Sequence, residues 1–354
     1  MGVAGIPRRD PMAMRTLDIP AVRRLLLTRE QLMVDGWSDR GIEREVASGH
    51  LHRLRRGWYV ADMEWRELWP ESRHLAHVVA VNDGARIRPV FAFTSAAAVH
   101  GLPLHRVIVD RVHTLYAKVA RRTADSTVRH QGSVDDADVV DVGGILCTSP
   151  ERTVYDLIRL ASAEVALSCA DAQLGRIGGD PREYDATAAE AWLAEMAARI
   201  DAARGVRGIR HARMLIEVID GRSQLPLESI TKLQLRRLGF RAPRLQVPVR
   251  APKDGWFWMD IELDEAGAFY ECDGETKYTD EAMRSGRTLE QVLLAEKQRE
   301  DWVRGTTGKR VLRGGSAHAA SPEALAARLA SFGVALPDRR DRLLLPRRPL
   351  AYGQ

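Results

Sequence analysis

Between Leu25 and Val60 apolar positions recur at helical spacing in two short stretches separated by turn residues. Thr28 precedes REQLMVDG, which predicts a short helix stopping at Gly36. Ser38 opens SDRGIEREVASG, a second helix stopping at Gly49. LHRLRRGWYV then alternates about Gly57 and predicts a hairpin. Two short helices, a tight turn and a hairpin predict a winged helix-turn-helix over residues 21–62. The stretch before it, 1–20, holds Gly2, Gly5, Pro7, Pro11 and Pro20 and reads as a poorly ordered lead-in.

Residues 63–204 mix periods. Helices are expected over His74–Val81, over Phe93–His100 and from Thr148 or Ser149 through Leu160, with strand-like runs at Arg106–Tyr116 and Asp138–Cys147. Ala186–Asp220 reads as helical, interrupted at Gly205 and Gly208. The pattern changes over residues 205–335. A helix, Pro226–Leu238, is followed by LQVPVR, an Asp254–Gly255 turn, WFWMDIEL, a DEAG turn and AFYECDG. A polar helix over 288–304, a strand KRVLR and a helix over 322–332 come next. The order α-β-β-β-α-β predicts an α+β protein. The two bodies should separate near Arg204–Gln224, and 336–354 reads as a tail.

The length, 354 residues, suits about two folding units. Apolar residues at 45% and charged ones at 29% exclude a disordered chain, a collagen repeat and a coiled-coil rod. The net charge of +5 permits a nucleic-acid partner without demanding one. Cys147, Cys169 and Cys272 lie far apart, so neither a disulfide framework nor a zinc finger is expected, and a cytoplasmic setting is. Charges through the first thirty residues exclude a signal peptide or membrane span there.

Charge matters most at two places. Arg53, Arg55 and Arg56 lie on the hairpin with no acid between His50 and Val60. They suit phosphate contact, as Ser38, Arg40 and Arg44 on the preceding helix suit the major groove; a solvated basic turn is the other reading. In the second place, pairing WFWMDIEL with AFYECDG across the DEAG turn sets Leu263 against Ala268. Asp260 then faces Glu271 at about 5 Å, with Asp273 on the same side. On WFWMDIEL, Phe257, Met259, Ile261 and Leu263 should share one face, and Trp256, Trp258, Asp260 and Glu262 the other. Carboxylates with no cation among them repel and suit a hard ion such as Mg²⁺ or Mn²⁺; a solvated acidic face is the alternative. Trp256 and Trp258 could stack on bases or pack against a helix. His74 and His77, three apart on a helix, make a weak metal pair.

Two resemblances extend these readings. LTREQLMVDGWSDRGIEREVASGHLHRLRRGWYV, TSAAAVHGLPL and TSPERTVYDL resemble the AbiEi-type antitoxins of type IV toxin–antitoxin systems over about residues 20–175. That likeness implies an AbiEi-like middle domain, promoter-DNA binding, no catalysis, and a cognate toxin as partner. GIRHARMLIEVIDGRSQLPLES, WMDIEL, FYECDGETKY and KRVLR resemble the Vsr-like branch of the PD-(D/E)xK nucleases over about residues 205–315. This implies a restriction-endonuclease-like core and Mg²⁺-assisted DNA hydrolysis, for defence or repair. Glu228 would be the helix carboxylate, and Asp260 and Glu271 metal ligands, with Asp273 beside them. Asp273 stands where most of these nucleases carry a catalytic lysine. Lys277, in a place where the branch often has histidine, and Lys297, near Arg299, are candidates for that role, and Arg313 for a phosphate contact. A non-catalytic repressor keeping a degenerate nuclease scaffold is the competing expectation.

Overall fold

Asp18, in the stretch 1–20 expected as a lead-in, caps a helix that begins there. Its carboxylate accepts the Ala21 N–H, and α1 runs over Ile19–Leu25. The computed structural model describes residues 16–105, 111–116, 127–131, 134–273, 289–338 and 343. After α1 come β1 (Leu27–Thr28), α2 (Arg29–Val34), α3 (Asp39–Ala47), β2 (Leu51–Arg55) and β3 (Trp58–Ala61). Thr28 and Gln31 form a reciprocal capping box on α2, and Ser38 caps α3 by accepting the Gly41 N–H. The three strands pair antiparallel in the order β1-β3-β2. Leu32, Ile42, Leu51 and Tyr59 close a small core beneath them. The expected winged-helix elements are present, with α1 and β1 added.

Next come α4 (Asp62–Arg66), α5 (Pro70–Asp83), β4 (Val90–Phe91), α6 (Phe93–Val99), β5 (Val112–Tyr116) and β6 (Thr127–Gln131). They are followed by β7 (Val139–Val142), β8 (Ile145–Thr148) and α7 (Pro150–Leu160). A mixed sheet runs β6-β5-β4-β8-β7. The single strand-like run expected at Asp138–Cys147 is a hairpin, β7 and β8. It reverses at Gly143 and Gly144, both at positive φ, as a two-residue hairpin turn requires.

The described residues form two compact units divided after Thr153. The expected boundary near Arg204–Gln224 therefore falls inside the second unit. One cause is α8 (Ala163–Gly178), a helix the sequence reading missed because its small and apolar residues are buried along most of its length. Asp171 on α8 accepts a 2.7 Å hydrogen bond from Lys232, both side chains being fully enclosed. Two glycines near the expected boundary serve packing. A Cβ on Gly221 would lie 2.7 Å from the Gly175 nitrogen, and one on Gly208 would collide with the Arg159 carbonyl. After α8 come α9 (Ala186–Ala202) and α10 (Ile209–Ile216).

The rest of the second unit has the predicted order: α11 (Pro226–Leu238), β9 (Arg244–Arg250), β10 (Trp256–Leu263), β11 (Ala268–Cys272), α12 (Leu289–Thr307), β12 (Arg310–Gly314) and α13 (Pro322–Ser331). The protein is α+β. Its third sheet runs β12-β11-β10-β9, with β11 and β12 parallel and the other pairs antiparallel. Pro248 is tolerated because β9 is an edge strand. Among the described residues no helix is long and apolar enough to cross a membrane.

Candidate carboxylate site and basic wing

The hairpin register is the one the turn predicts: Leu263 stands opposite Ala268, Glu262 opposite Phe269 and Ile261 opposite Tyr270. One residue further on, side chains take over from the backbone. The Asp260 N–H donates to Glu271 Oε1 at 3.3 Å, and the Cys272 N–H donates to Asp260 Oδ2 at 2.8 Å. The two carboxylates are thus interlocked where the strands begin to part.

The predicted faces of β10 need correction. Ile261 and Leu263 pack with Tyr270 and Cys272, whereas Phe257 and Met259 pack with Phe269 and Val303. Phe269 and Tyr270 are successive strand residues and point to opposite faces, so the alternation on β10 breaks at Asp260. Gln246 lies in the gap of the β9 pairing between Leu245 and Val247, at φ 48°, a left-handed conformation rare for a residue with a side chain. Its amide donates to Glu228 Oε2 at 3.3 Å, and that oxygen also accepts the Gln224 N–H at 2.8 Å. Sequence reasoning missed Gln246; the position opposite Asp260 in the ladder was the only signal for it.

Glu228 and Glu271 are buried, and Asp260 and Asp273 half-buried. Three of these carboxylates act on the Cys272 thiol. Burial first, then Asp260, with Glu228 and Glu271 adding, pushes its pKa well up, so the thiol stays protonated. Glu228 from α11, Asp260 from β10 and Glu271 from β11 are therefore brought together.

The expectation that no cation stands among them is corrected. Arg299 on α12 donates to the Trp258 carbonyl at 2.6 Å and lies 3.4 Å from Glu271 Oε2. Arg313 lies 3.4 Å from Asp273 and from Glu300, and 4.0 Å from Glu296. Burial works against its charge, but Asp273, Glu296, Glu271 and Glu300 outweigh it and hold its pKa up. Arg313, expected as a phosphate contact, is thus paired with Asp273. Lys297 is exposed. Lys277 lies outside the described residues, as does Gly274.

Two carboxylates and waters suffice for some divalent ions, and Asp260 and Glu271 are the pair that comes together here. A third ligand is not in reach: among the described residues no three His, Cys, Asp or Glu side chains are placed to hold a metal ion. The assignment of Asp273 as a ligand beside the other two is corrected, because its carboxylate turns to Arg313.

On the wing, Arg53 and Arg56 are exposed, as are Ser38, Arg40 and Arg44 on and before α3. Arg55 is not available as a phosphate contact. It reaches inward, donates to the Ala80 carbonyl at 3.2 Å, and burial lowers its pKa. The Ser38 hydroxyl is engaged as the α3 cap. A bidentate pair between Arg29 and Asp39, at 2.7 and 2.8 Å, ties the starts of the two helices together.

The His74–His77 metal pair is not what forms in the first unit. His74 shares a 3.0 Å hydrogen bond with Ser95, whose oxygen also accepts the His113 N–H at 2.8 Å. His113 shares a ring-to-ring hydrogen bond of 2.8 Å with His130. Burial pushes His74 and His113 down to about 3 and His130 to about 4, so all three are neutral at pH 7.

No protein-family model matches the chain. Two proteins of Mycobacterium tuberculosis, described only as uncharacterized protein MT2308 (strain CDC 1551 / Oshkosh) and uncharacterized protein Rv2248 (strain ATCC 25618 / H37Rv), are similar to it. Each is 27% identical over 242 residues, covering 67% of this chain and 77% of the relative.

Proposed function

We propose that this chain is a DNA-binding protein whose second unit is a Mg²⁺- or Mn²⁺-dependent endonuclease of the Vsr-like type. The observation that carries the proposal is the interlocking of Asp260 with Glu271 beside Glu228, on elements in the order α-β-β-β-α-β. Asp260 and Glu271 would hold the ion. When bound, it would polarise the scissile phosphate and activate water. Glu228, fixed by Gln246 and the Gln224 N–H, would orient water. Arg299 supplies a guanidinium next to Glu271, where no lysine is found among the described residues, and a cation there stabilises charge developing on phosphate. The exposed wing residues Arg53 and Arg56, with Arg40 and Arg44 on α3, would hold duplex DNA.

The test is incubation of plasmid and single-stranded DNA with Mg²⁺ or Mn²⁺, using Asp260→Ala as control. Cleavage by wild type alone is expected. Either ion should also raise the melting temperature of wild type more than that of Asp260→Ala. Mass action gives about 2.7 kcal/mol at a hundredfold excess over Kd.

The second reading is a non-catalytic, antitoxin-like repressor with a toxin partner. It is favoured by the engagement of Glu271 with Arg299 and Asp273 with Arg313, which leaves the site charge-compensated without metal. Absence of both cleavage and a melting shift would put this reading first.

A further inference from the structure

The turn between α9 and α10 gathers charge of one sign. From Arg199 to Arg213 the chain has five arginines and one acid, Asp201. Gly205 and Gly208, at φ 81° and 82°, carry the chain from one helix to the next. Arg159 pins this turn. Its Nε donates to the Arg207 carbonyl at 3.2 Å, and its own carbonyl presses so close to Gly208 that no side chain fits there. Arg204, Arg210 and Arg213 line a cavity of about 870 Å³ at the turn. Asp201, the one acid among the described residues lining it, is paired with Arg213 at 3.3 Å. Arg204 and Arg210 are exposed and make no ion pair with a described residue. His211 lines the same cavity while only 5% exposed. Its Nδ1 donates to the Ile158 carbonyl at 2.8 Å, and no described residue partners its Nε2.

We infer that this cavity binds the backbone phosphates of DNA, giving the second unit a sequence-independent contact of its own. The inference rests on the DNA-binding reading and adds to it a contact outside the wing. Guanidinium groups gathered on one cavity repel each other, and an anion among them relieves the repulsion. Their planar forks match phosphate oxygens in pairs. The cavity is far larger than one phosphate group, so successive phosphates of a chain fill it better than a lone ion. Neutralising several backbone phosphates together also releases the counterions condensed on DNA, a gain that a single small anion does not offer. The pinned turn holds the arginines near one another before any ligand arrives, which lowers the ordering cost of binding.

The experiment is fluorescence anisotropy with two labelled 20-base-pair duplexes of unrelated sequence, using the full chain in EDTA so that cleavage plays no part. Arg204→Ala and Arg210→Ala should each lower the slope of log K against log salt by about one, on both duplexes alike. The double variant should lower it by about two. Arg204→Lys with Arg210→Lys keeps the charge and should keep the slope, which guards against loss through misfolding. Asp201→Asn removes the carboxylate that holds Arg213 and should move the slope the other way. An unchanged slope in the double alanine variant overturns the inference, as does an equal loss in the double lysine variant. Thermal melts with inorganic pyrophosphate test the small anion. Protection of wild type that the double alanine variant lacks, with the DNA slope unmoved, gives the cavity to a small phosphate and overturns the backbone assignment. Duplex binding that persists with its slope unmoved removes this inference alone; duplex binding absent from wild type removes the DNA-binding reading and this inference with it.

Discussion

The two units bury polar side chains in opposite ways. In the first, His74, Ser95 and His113 are buried as neutral groups that hydrogen-bond to each other. In the second, Asp171, Lys232, Glu228 and Glu271 are buried as groups that ordinarily carry charge. A neutral network rigidifies and asks for no counter-ion. A buried charge persists only with a partner, and removing that partner exposes the full desolvation cost. Apart from Asp138, which is buried against Arg152, the first unit buries its polar groups as neutral scaffold and presents charge at the surface, on the wing. The second keeps charge inside, in the Asp171–Lys232 pair and in Glu271 beside Arg299.

Acid should separate the units most strongly. His74 and His113 have folded pKa values depressed from about 6.5 to about 3. Their stabilisation is complete above pH 6.5 and is lost as pH falls from there toward 3, because only the unfolded chain takes up the protons. At pH 5 each costs roughly 2 kcal/mol, so the pair costs roughly 4, with His130 adding to it. Hydrogen exchange at pH 7.5 and pH 5, corrected for intrinsic rates, should show α5 and β5 losing protection ahead of β10 and β11. Equal losses would break the comparison.

In the second unit the largest single effect is expected at Lys232. Replacing it with Ala leaves Asp171 buried, its pKa already pushed up by desolvation, with no cation to offset that burial. The cost should be about 3–5 kcal/mol, measured by urea unfolding, and Lys232→Met with Asp171→Leu should recover much of it. Because this pair ties α8 to α11, limited proteolysis should leave the stretch around residue 221 intact in wild type and cut it in the variant.

Next comes the pair of Arg299 and Glu271. Arg299→Ala should cost about 1–3 kcal/mol by leaving a buried carboxylate without its cation. Under the nuclease reading, Mg²⁺ should recover part of this loss in thermal melts and stabilise the variant more than wild type. A deficit indifferent to Mg²⁺ would make the pair purely structural. The same geometry reverses what repulsion alone implied for metal-free protein. Asp260→Ala and Glu271→Ala should be less stable than wild type, because the Cys272 N–H or Arg299 loses its acceptor.

How far these features could be read in the sequence follows from how local their causes are. The caps at Thr28 and Ser38, the bounds of α11 and β10, and the Leu263–Ala268 register all depend on neighbours a few residues away, and all were legible. α8 was not, because a helix buried along most of its surface shows little amphipathic contrast. The boundary after Thr153 was hidden with it, since the contacts of Asp171 and Gly221 join residues some fifty positions apart. The pairing of Arg299 and Arg313 with the carboxylates was equally out of reach. Composition shows that arginines exist, and only the packing of α12 on the sheet and the place of β12 within it show which carboxylate each one meets.

The smallest expected effect lies on the wing, where one arginine departs from its neighbours. Arg55 is the first unit's inward-turned charge, held by the Ala80 carbonyl on α5, whereas Arg53 and Arg56 are exposed. If surface charge alone meets DNA in this unit, the three should separate in a salt titration. Arg53→Ala and Arg56→Ala should each lower the slope of log K against log salt by about one, at little cost to stability. Arg55→Ala should leave that slope unchanged and instead cost about 1 kcal/mol in unfolding, from the lost hydrogen bond and packed stem. A slope change at Arg55 equal to the others would mean that its guanidinium leaves Ala80 for phosphate on binding. The division between buried scaffold and surface contact in the first unit would then fail at the hairpin.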